Sequence, residues 1–370
     1  MNQRLWTSLA VIVGAYILST ILVFPVRALA RRLGVLDIPG GRKSHHLPVP
    51  LLGGLAIFGS LVTMVGGSLY LLSHVQGSWL SNYLYGSLKE ITLYVLIAPK
   101  LWALLCGALM VTLIGIADDV KGVTFSPLLK FAVQTLAALV VLRAGIYMDL
   151  LNCNPYLSMF VSLAWIVGIT NSFNLLDNMN GLSSGIALIC TFVFLILVMV
   201  KGEFFIALLL SALIGSTLGF FQFNMRGSIF LGDTGSLLLG FMLGAISLMA
   251  RYVDPQDDSM FPVLAPLMIL GLPLFDTFSV ILIRLREERS IFQGDQMHLS
   301  HRLVRIGMTK PQAVYFNYLM AFSIASTALF MINSRVLHSL LAVVLVGALV
   351  AMVSILMSTH SRNGNGSGEV

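Results

Sequence analysis

Apolar residues run through this chain in long segments that alternate with short polar loops. A transmembrane helix needs about 20 mostly apolar residues, and segments of roughly this kind recur along the chain. They cover residues 5–26, 49–72, 101–117, 127–145, 155–170, 182–200, 204–223, 234–250, 261–283, 313–332 and 335–357. The pattern therefore predicts an all-α polytopic membrane protein with about eleven transmembrane helices.

Composition agrees with a membrane protein. The 370 residues are 57% hydrophobic and 10% charged, whereas soluble proteins are about 25% charged. Three cysteines make no disulfide framework. The first segment lacks a small-residue cleavage site, so we expect a retained anchor. We expect a single integral-membrane domain over residues 1–358 and a disordered, Gly/Ser/Asn-rich tail over 359–370.

The distribution of Lys and Arg predicts the orientation of these helices. Cytoplasmic loops of membrane proteins carry an excess of both residues. With the N-terminus outside, fifteen of the 22 Lys and Arg residues fall in inside loops and seven in outside loops. We therefore expect the N-terminus outside and the tail in the cytoplasm. The net charge of +6 then reflects topology, and we expect no nucleic acid as a partner.

Two adjacent acids, Asp118 and Asp119, end one of the apolar segments. A charge at the centre of a membrane helix costs about 2.5–3.5 kcal/mol, and two carboxylates this close also repel each other. The pair is therefore expected at the membrane–water boundary, where a divalent cation and a phosphate could use it. The alternative is a solvated pair at a helix end.

Two further polar motifs are expected on the same cytoplasmic face. Asn171, Asn174 and Asp177 are three residues apart and share one broad face of a helix. Carboxamides with one acid suit sugar hydroxyls, a base edge or metal-bound water, although a helix cap is an alternative. Asp233, flanked by glycines in the segment 230–236, opens a helix where phosphate could approach backbone N–H groups and the acid could hold a cation. A simple N-cap is the other interpretation.

The loop between the first two segments is basic and irregular. It carries Arg42, Lys43 and His45 among several prolines and glycines. Such a loop suits a lipid phosphate or a nucleotide diphosphate. A membrane-surface anchor is the alternative.

A second basic loop, over residues 284–312, contains His298, His301 and Arg302. Such a cluster suits the oxygens of an anionic substrate, and a loop basic only for orientation is the alternative. Asp276, inside the preceding segment, needs a partner. Arg284, the nearest basic residue on that helix, lies about 12 Å along the axis, so the partner is expected on another element.

Together these motifs resemble one family, the polyprenyl-phosphate N-acetylhexosamine-1-phosphate transferases, over residues 34–303. The similarity lies in a basic first loop, an Asp-Asp pair, an N-x-x-N-x-x-D stretch, an F-x-G-D-x-G-S stretch and a His-containing last loop. About eleven segments and the R-K-x-H loop resemble the branch that uses UDP-GlcNAc more than the UDP-MurNAc-pentapeptide branch.

Two positions and one segment depart from the family pattern. Asn180 stands where the family has a second acid, and Ser300 where it has a histidine. The segment between Asn224 and Asp233 lacks the usual Pro-Ala and is one residue short. A role for Asn224 is therefore not carried over from the family.

The resemblance implies transfer of GlcNAc-1-phosphate from UDP-GlcNAc to undecaprenyl phosphate, with release of UMP and a need for Mg²⁺, Mn²⁺ being the alternative. Both reactants are anionic, and one is confined to the lipid bilayer, so catalysis would be positioning and charge neutralisation. The expected place is the cytoplasmic face of a bacterial inner (plasma) membrane, at the first step of a cell-envelope glycan pathway. A homodimer is left open.

The resemblance also assigns roles to the candidate residues. Asp233 resembles the metal ligand, and Asp118 and Asp119 resemble the catalytic acids at the lipid phosphate. The remaining candidates are expected to bind substrate: Asn171, Asn174, Asp177, Arg42, Lys43, His45, His298, His301 and Arg302. Direct attack and a covalent aspartyl intermediate both stay open.

Three alternative functions remain. The first is the same reaction with a UDP-MurNAc-pentapeptide type of donor. A secondary transporter would carry repeats and interrupted helices at the membrane midplane, whereas these polar groups gather at one face. An intramembrane aspartyl protease could use Leu231-Gly232-Asp233, but position 230 is Phe and no Tyr-Asp partner occurs.

Overall fold

The structure is a computed structural model that describes residues 2–38, 47–74, 91–148, 154–253, 261–288, 297–331, 343–347 and 349. The chain divides into two compact units, Met1–Ala250 and Arg251–Val370.

Helices make up most of the described part of the first unit. They are α1 (Asn2–Arg32), α2 (Gly54–His74), α3 (Ile91–Lys121), α4 (Pro127–Arg143), α5 (Pro155–Leu176), α6 (Leu182–Val200), α7 (Phe204–Met225) and α8 (Gly232–Ser247). In the second unit, a 3₁₀ turn (Phe261–Leu264) precedes α9 (Ala265–Ile269), α10 (Gly271–Arg286), α11 (Leu299–Arg305) and α12 (Lys310–Met331).

A short antiparallel ribbon closes the loop between α1 and α2. Its strands are β1 (Leu36–Asp37) and β2 (Val49–Pro50), with Leu36 opposite Pro50 and Asp37 opposite Val49. The end of this loop also bonds to the segment before α8, because Phe230 N–H donates to the Pro50 carbonyl at 2.8 Å. The ribbon thus ties the first loop to the start of α8.

The helical membrane architecture predicted from the apolar segments is confirmed. Nine predicted segments each overlap one described helix, and 182–200 has the predicted bounds. Within the described residues, six helices are long and apolar enough to cross a membrane, or seven with one bent pair. The segment 335–357 lies mostly outside the described residues. The total of eleven and the orientation of the termini therefore stay predictions.

One predicted segment, 261–283, is not a continuous helix. It breaks between Ile269 and Gly271, and its two parts meet at 66°. Pro273 has no N–H with which to bond the Ile269 carbonyl one turn earlier, so the helical hydrogen-bond pattern fails at this point.

The core of the first unit surrounds α8. Helices α2, α3, α5 and α6 all pack on it, and every residue from Thr234 to Ser247 is buried. A helix that is apolar on all sides belongs in a core. Asp233 in the first turn of α8 is partly exposed, so the polar end of this buried helix is its N-terminus. In the second unit, α9, α10 and α11 pack on α12.

Candidate active site

The C-terminal end of α3 lies directly against the N-terminal end of α8. Gly115 allows this close approach, because a Cβ at that position would lie 2.6 Å from both the Thr234 Cα and the Asp233 carbonyl oxygen. One turn later, α3 presents Asp118 and Asp119 to the start of α8. Acids 114 residues apart in the sequence are thereby brought together.

Asp119 caps α8 from a neighbouring helix. Its Oδ1 accepts the Asp233 N–H at 2.8 Å, and its Oδ2 accepts the Thr234 N–H at 3.2 Å and the Thr234 hydroxyl at 2.6 Å. The first N–H groups of a helix have no partner within the helix. Gly232 has a φ of +68°, and a Cβ there would collide with the Asp119 carboxylate. Both oxygens of Asp119 are thus used in holding the start of α8.

Asp118, the other acid of the pair, shares a lysine with Asp233. Lys130 Nζ lies 2.6 Å from Asp118 Oδ2 and also contacts Asp233 Oδ2. Lys130 is in the first turn of α4, which begins with Pro127 after Ser126, whose hydroxyl accepts the Leu129 N–H. The Lys130 side chain is 18% exposed and that of Asp233 is 27% exposed, so this cluster is open to solvent or ligand.

Asn174 holds the second oxygen of Asp233. Its Nδ2 donates to Asp233 Oδ1 at 2.9 Å and to the Ser236 hydroxyl at 3.0 Å. Asn174 lies near the C-terminal end of α5, whereas Lys130 approaches from α4. Asp233 is therefore oriented from two directions by helices that both pack on α8.

Asn171 lies one turn before Asn174 on α5, and its side chain contacts α4. Its Nδ2 donates to Gln134 Oε1 at 2.6 Å and to the Val167 carbonyl at 2.8 Å. Gln134 is one turn after Lys130 on α4 and is 1% exposed. The amide nitrogen of Asn171 is thus committed to the protein, and Asn171 joins the two helices that carry Lys130 and Asn174.

Asp177 ends α5 beside the same helix start. Burial raises the pKa of the Asp177 carboxyl well above its usual range, and the Asp233 and Asp119 carboxylates raise it further. A backbone hydrogen bond from Gly232 acts in the opposite direction. Asp177 is therefore a fourth acid at the N-terminus of α8, in surroundings that favour its protonated form.

The second unit holds the predicted basic residues on and beside α11. His298 precedes this helix, and His301 and Arg302 lie within it. Burial lowers the pKa of His301, and the neighbouring His298 and Arg305 lower it further. The neutral imidazole is thus favoured at this position.

The expected partner of Asp276 is found on another element. Asp276 Oδ2 lies 2.8 Å from His298 Nδ1, and Asp276 Oδ1 accepts the Leu299 N–H at 2.6 Å. All three residues are buried. The prediction that the partner would not lie on the same helix is confirmed.

The candidate residues of the first unit form one cluster: Asp118, Asp119, Asn174, Asp177 and Asp233, with Asn171 beneath. The candidates of the second unit, His298, His301 and Arg302, lie close together along one short helix. Arg42, Lys43 and His45 lie outside the described residues.

Lys130 is the main site residue that motif reasoning missed. Nothing in the motifs singles it out, yet it lies within a predicted apolar segment. A charged residue in such a segment is expected to pair with a partner, and this signal would have found it. Gln134 and Ser236 carry no comparable signal.

The structure describes the surroundings of the residues at which the sequence departs from the family pattern. Asn224 is 2% exposed, and its Oδ1 accepts the Gly181 N–H and the Ser184 hydroxyl while its Nδ2 donates to the Ile229 carbonyl. It therefore joins the end of α7 to the start of α6. Asn180 is exposed, and Ser300 is buried within α11.

The first-unit cluster fits a cation that takes some of its ligands from a substrate. No group of three or more His, Cys, Asp or Glu in the described chain forms a complete metal-ligand set. Asp118 and Asp233 already turn one oxygen each towards the same ammonium group, whereas the oxygens of Asp119 are engaged. Two carboxylates completed by water and phosphate oxygens are the arrangement that Mg²⁺ prefers.

Comparison with known proteins agrees with this geometry. Residues 101–251, which contain the whole cluster, match the sequence profile of glycosyl transferase family 4. A Bacillus subtilis (strain 168) protein named probable undecaprenyl-phosphate N-acetylglucosaminyl 1-phosphate transferase is 31% identical over 343 residues, covering 89% of this chain and 87% of that protein. The chain belongs to glycosyl transferase family 4.

Other relatives in this family carry similar names. A Mycobacterium tuberculosis decaprenyl-phosphate N-acetylglucosaminephosphotransferase is 32% identical, with 83% of this chain and 79% of that protein covered. An Escherichia coli (strain K12) undecaprenyl-phosphate α-N-acetylglucosaminyl 1-phosphate transferase is 25% identical, with 85% and 81% covered. These names agree in acceptor class and in sugar.

Proposed function

We propose that this protein transfers N-acetylglucosamine 1-phosphate from UDP-GlcNAc to undecaprenyl phosphate, releasing UMP and forming the lipid-linked diphosphate. The observation that carries the proposal is the group of Asp118, Lys130 and Asp233 at the ends of three helices. The names of the relatives support the same acceptor class and the same sugar.

The reaction forms one phosphorus–oxygen bond and breaks another. A phosphate oxygen of the lipid attacks the phosphorus that carries the sugar, and the bond from this phosphorus to the oxygen shared with UMP breaks. Such reactions depend on positioning and charge neutralisation. Lys130 brings positive charge to the phosphates, and Asp118 beside it orients the lipid phosphate or accepts its proton.

Asp119 and Asn174 act by fixing Asp233. Asp119 holds the backbone of the first turn of α8, and Asn174 holds one carboxylate oxygen. A carboxylate held in this way loses little further freedom when a ligand binds. Its other oxygen, now beside Lys130, is the one available to a cation.

The charge of the cluster supports a divalent cation, Mg²⁺ or alternatively Mn²⁺. In the described part of the first unit, the carboxyls of Asp118, Asp119 and Asp233 meet at the start of α8, where the ammonium group of Lys130 contacts two of them, Asp118 and Asp233. Anionic substrates would be repelled by this surplus of acids. A bound Mg²⁺ would supply the charge neutralisation, held by Asp118 and Asp233.

The basic residues outside this cluster suit the anionic substrates. Arg302 offers a planar fork that matches phosphate oxygens, and His298 and His301 offer ring nitrogens to sugar or diphosphate oxygens. We assign these three residues to the sugar nucleotide. Arg42, Lys43 and His45 of the first loop are assigned to substrate phosphates by their charge.

The reaction requires a membrane location. The acceptor is anchored in the bilayer and the donor is water-soluble, so the two meet only at the interface. The multi-pass helices support a membrane enzyme, and the Lys/Arg bias of the loops supports the cytoplasmic face of the bacterial inner membrane.

A transfer assay tests the proposal. Purified protein in detergent is incubated with undecaprenyl phosphate, Mg²⁺ and UDP-GlcNAc labelled in the sugar, and the lipid is extracted. We expect labelled lipid with wild-type protein and almost none with Asp118→Asn. Absence of labelled lipid from folded wild-type protein would overturn the proposal.

The sugar is tested with a second donor. In parallel reactions, UDP-MurNAc-pentapeptide replaces UDP-GlcNAc under identical conditions. We expect transfer from UDP-GlcNAc to be faster by at least about 100-fold, a difference of about 2.7 kcal/mol. Equal rates would refute the donor assignment and leave the reaction class in place.

The membrane face is tested with introduced cysteines. Thr124 is exposed just after α3 and close to the cluster in sequence, so Thr124→Cys reports the side on which the acids lie. In intact cells we expect no reaction of this cysteine with a membrane-impermeant maleimide, and reaction after lysis. Labelling in intact cells would contradict the cytoplasmic assignment.

A further inference from the structure

The second unit contains a buried acid that the acid cluster of the first unit does not use. Asp276 lies within α10 and is 1% exposed. A buried carboxylate is costly unless each oxygen is hydrogen-bonded. Both oxygens of Asp276 are engaged, and their partners are two consecutive residues, His298 and Leu299.

The bond to Leu299 fixes the start of α11. Leu299 is the first residue of this helix, and the side chain of His298 before it caps no backbone N–H. Asp276 supplies that cap from α10 at 2.6 Å. Because the His298 carbonyl accepts the Arg302 N–H at 3.0 Å, the same contact fixes the turn that carries His301 and Arg302.

The bond to His298 fixes the imidazole ring. A carboxylate in its ionised form can only accept a hydrogen bond. Opposite such a carboxylate, the hydrogen of the contact belongs to His298 Nδ1, and Nε2 is the distal nitrogen. Within the described residues, His298 forms no other side-chain hydrogen bond. Histidines with one nitrogen bonded to a carboxylate present the other in a defined orientation and tautomer.

We propose that Asp276 is a positioning residue for sugar-nucleotide transfer, which holds His298 with hydrogen on Nδ1 and presents Nε2 as an acceptor to a hydroxyl group of the sugar nucleotide. This inference rests on the proposed function, because it takes the ligand of His298 to be the sugar nucleotide. Asp276 itself touches no substrate and acts only through His298.

The first test replaces the Asp276 carboxylate that faces the His298 ring with an amide. In Asp276→Asn, the amide oxygen can still accept the Leu299 N–H, and the amide NH₂ then faces His298 Nδ1. The ring must accept there, so its hydrogen moves to Nε2. We expect kcat/KM for UDP-GlcNAc to fall by at least about tenfold, as for other histidines that lose an orienting carboxylate, with the KM for the lipid within about twofold.

The tautomer is read directly by nitrogen NMR. The full-length protein with ¹⁵N-histidine contains seven His residues, and the signal of His298 is identified as the one missing from His298→Asn. We expect the Nδ1-protonated pattern in wild type and the Nε2-protonated pattern in Asp276→Asn. The same pattern in both proteins would overturn the proposal, whatever the activity.

A double-mutant cycle separates positioning from a purely structural role. In His298→Asn, the amide NH₂ can still donate to Asp276, but no distal nitrogen remains. If Asp276 acts through His298, Asp276→Asn lowers the residual activity of His298→Asn by less than about twofold. An equal loss in both backgrounds would mean that Asp276 only supports the fold, and would overturn the proposal.

A matched control and a folding check complete the test. Glu288→Gln changes an exposed carboxylate of the same unit, and we expect wild-type kinetics from it. If Asp276→Asn does not fold, two other measurements test the proposal: the His298 tautomer in wild type and the kinetics of His298→Asn. The proposal would be overturned by an Nε2-protonated ring in wild type or by a normal kcat/KM in His298→Asn. If wild type makes no labelled lipid, the proposed function fails, and the NMR pattern still reports the Asp276–His298 contact.

Discussion

Two helices of this protein, α8 in the first unit and α11 in the second, begin in the same way and carry different chemistry. At each start, a carboxylate from an earlier helix accepts a backbone N–H: Asp119 accepts that of Asp233, and Asp276 accepts that of Leu299. The residues presented there differ, because α8 carries the acid Asp233 in its first turn whereas α11 follows the imidazole of His298.

This difference determines whether each region requires a bound cation to offset its charge. At α8, acids converge on acids, and Lys130 offsets only part of their repulsion. At α11, both oxygens of Asp276 have hydrogen-bond partners within the protein, the His298 ring and the Leu299 N–H. We therefore expect cation and charge effects to be large in the first unit and orientation effects to dominate in the second.

The largest expected effect separates the two adjacent acids of α3. Asp118→Asn and Asp119→Asn should each lower transfer by at least about 100-fold. Only Asp119→Asn should also lower the melting temperature, because its amide NH₂ would face one of the donors that the carboxylate now accepts. Labelled-lipid formation and thermal melting in detergent measure the two properties.

Near-normal transfer by either variant would make that residue structural and reduce the catalytic pair to one acid. Equal melting temperatures for both variants would remove the distinction between a capping acid and an acid that faces the ligand.

The next effect tests the basic region of α11. Arg302→Ala should raise the KM for UDP-GlcNAc by about tenfold, the loss of one charge-assisted hydrogen bond, with little change in the KM for the lipid. Arg305→Ala, an exposed residue of the same helix, serves as the control. A change in the lipid KM alone would assign Arg302 to the other substrate.

The position of Lys130 predicts a stability effect that depends on metal. In EDTA, Lys130→Met should lower the melting temperature by about 2–4 °C, because Asp118 and Asp233 lose their shared counter-charge. Mg²⁺ should restore most of this loss. Lys121→Met removes an exposed lysine near the same acids and should have no such effect. Identical melting of Lys130→Met and wild type in EDTA would argue against the shared counter-charge.

The smallest effect concerns Asp177. Because the pKa of Asp177 is raised in the folded protein, its ionisation destabilises the fold as the pH rises. Asp177→Asn should therefore melt about 1–2 °C above wild type at pH 8, measured in EDTA. The gap should close as the pH falls towards the ordinary carboxyl range, where wild-type Asp177 is protonated in both states. A gap independent of pH would exclude this cause.

Much of the fold and part of the cluster could be predicted from the sequence, because they depend on local patterns. Apolar length predicted the helices, and three-residue spacing placed Asn171, Asn174 and Asp177 on one helix end. The break at Leu270 was missed, since hydrophobicity alone does not show where Pro273 interrupts the hydrogen bonds.

The remaining features depend on tertiary contacts that no local pattern encodes. Lys130 and Asp233 are 103 residues apart, and the different roles of Asp118 and Asp119 depend on which carboxylate meets the α8 backbone. The pairing of Asp276 with His298 was foreseen only to the extent that a buried acid required a partner from another element.

The central claim is that the start of α8 works with a divalent cation held by Asp233. The most direct measurement is the rate of labelled-lipid formation against free Mg²⁺ for wild type and Asp233→Asn. We predict no transfer by wild type in EDTA, saturable activation by Mg²⁺, and for Asp233→Asn either no transfer or a Mg²⁺ requirement at least about tenfold higher. Unchanged wild-type turnover in EDTA, or wild-type Mg²⁺ dependence in Asp233→Asn, would contradict the claim.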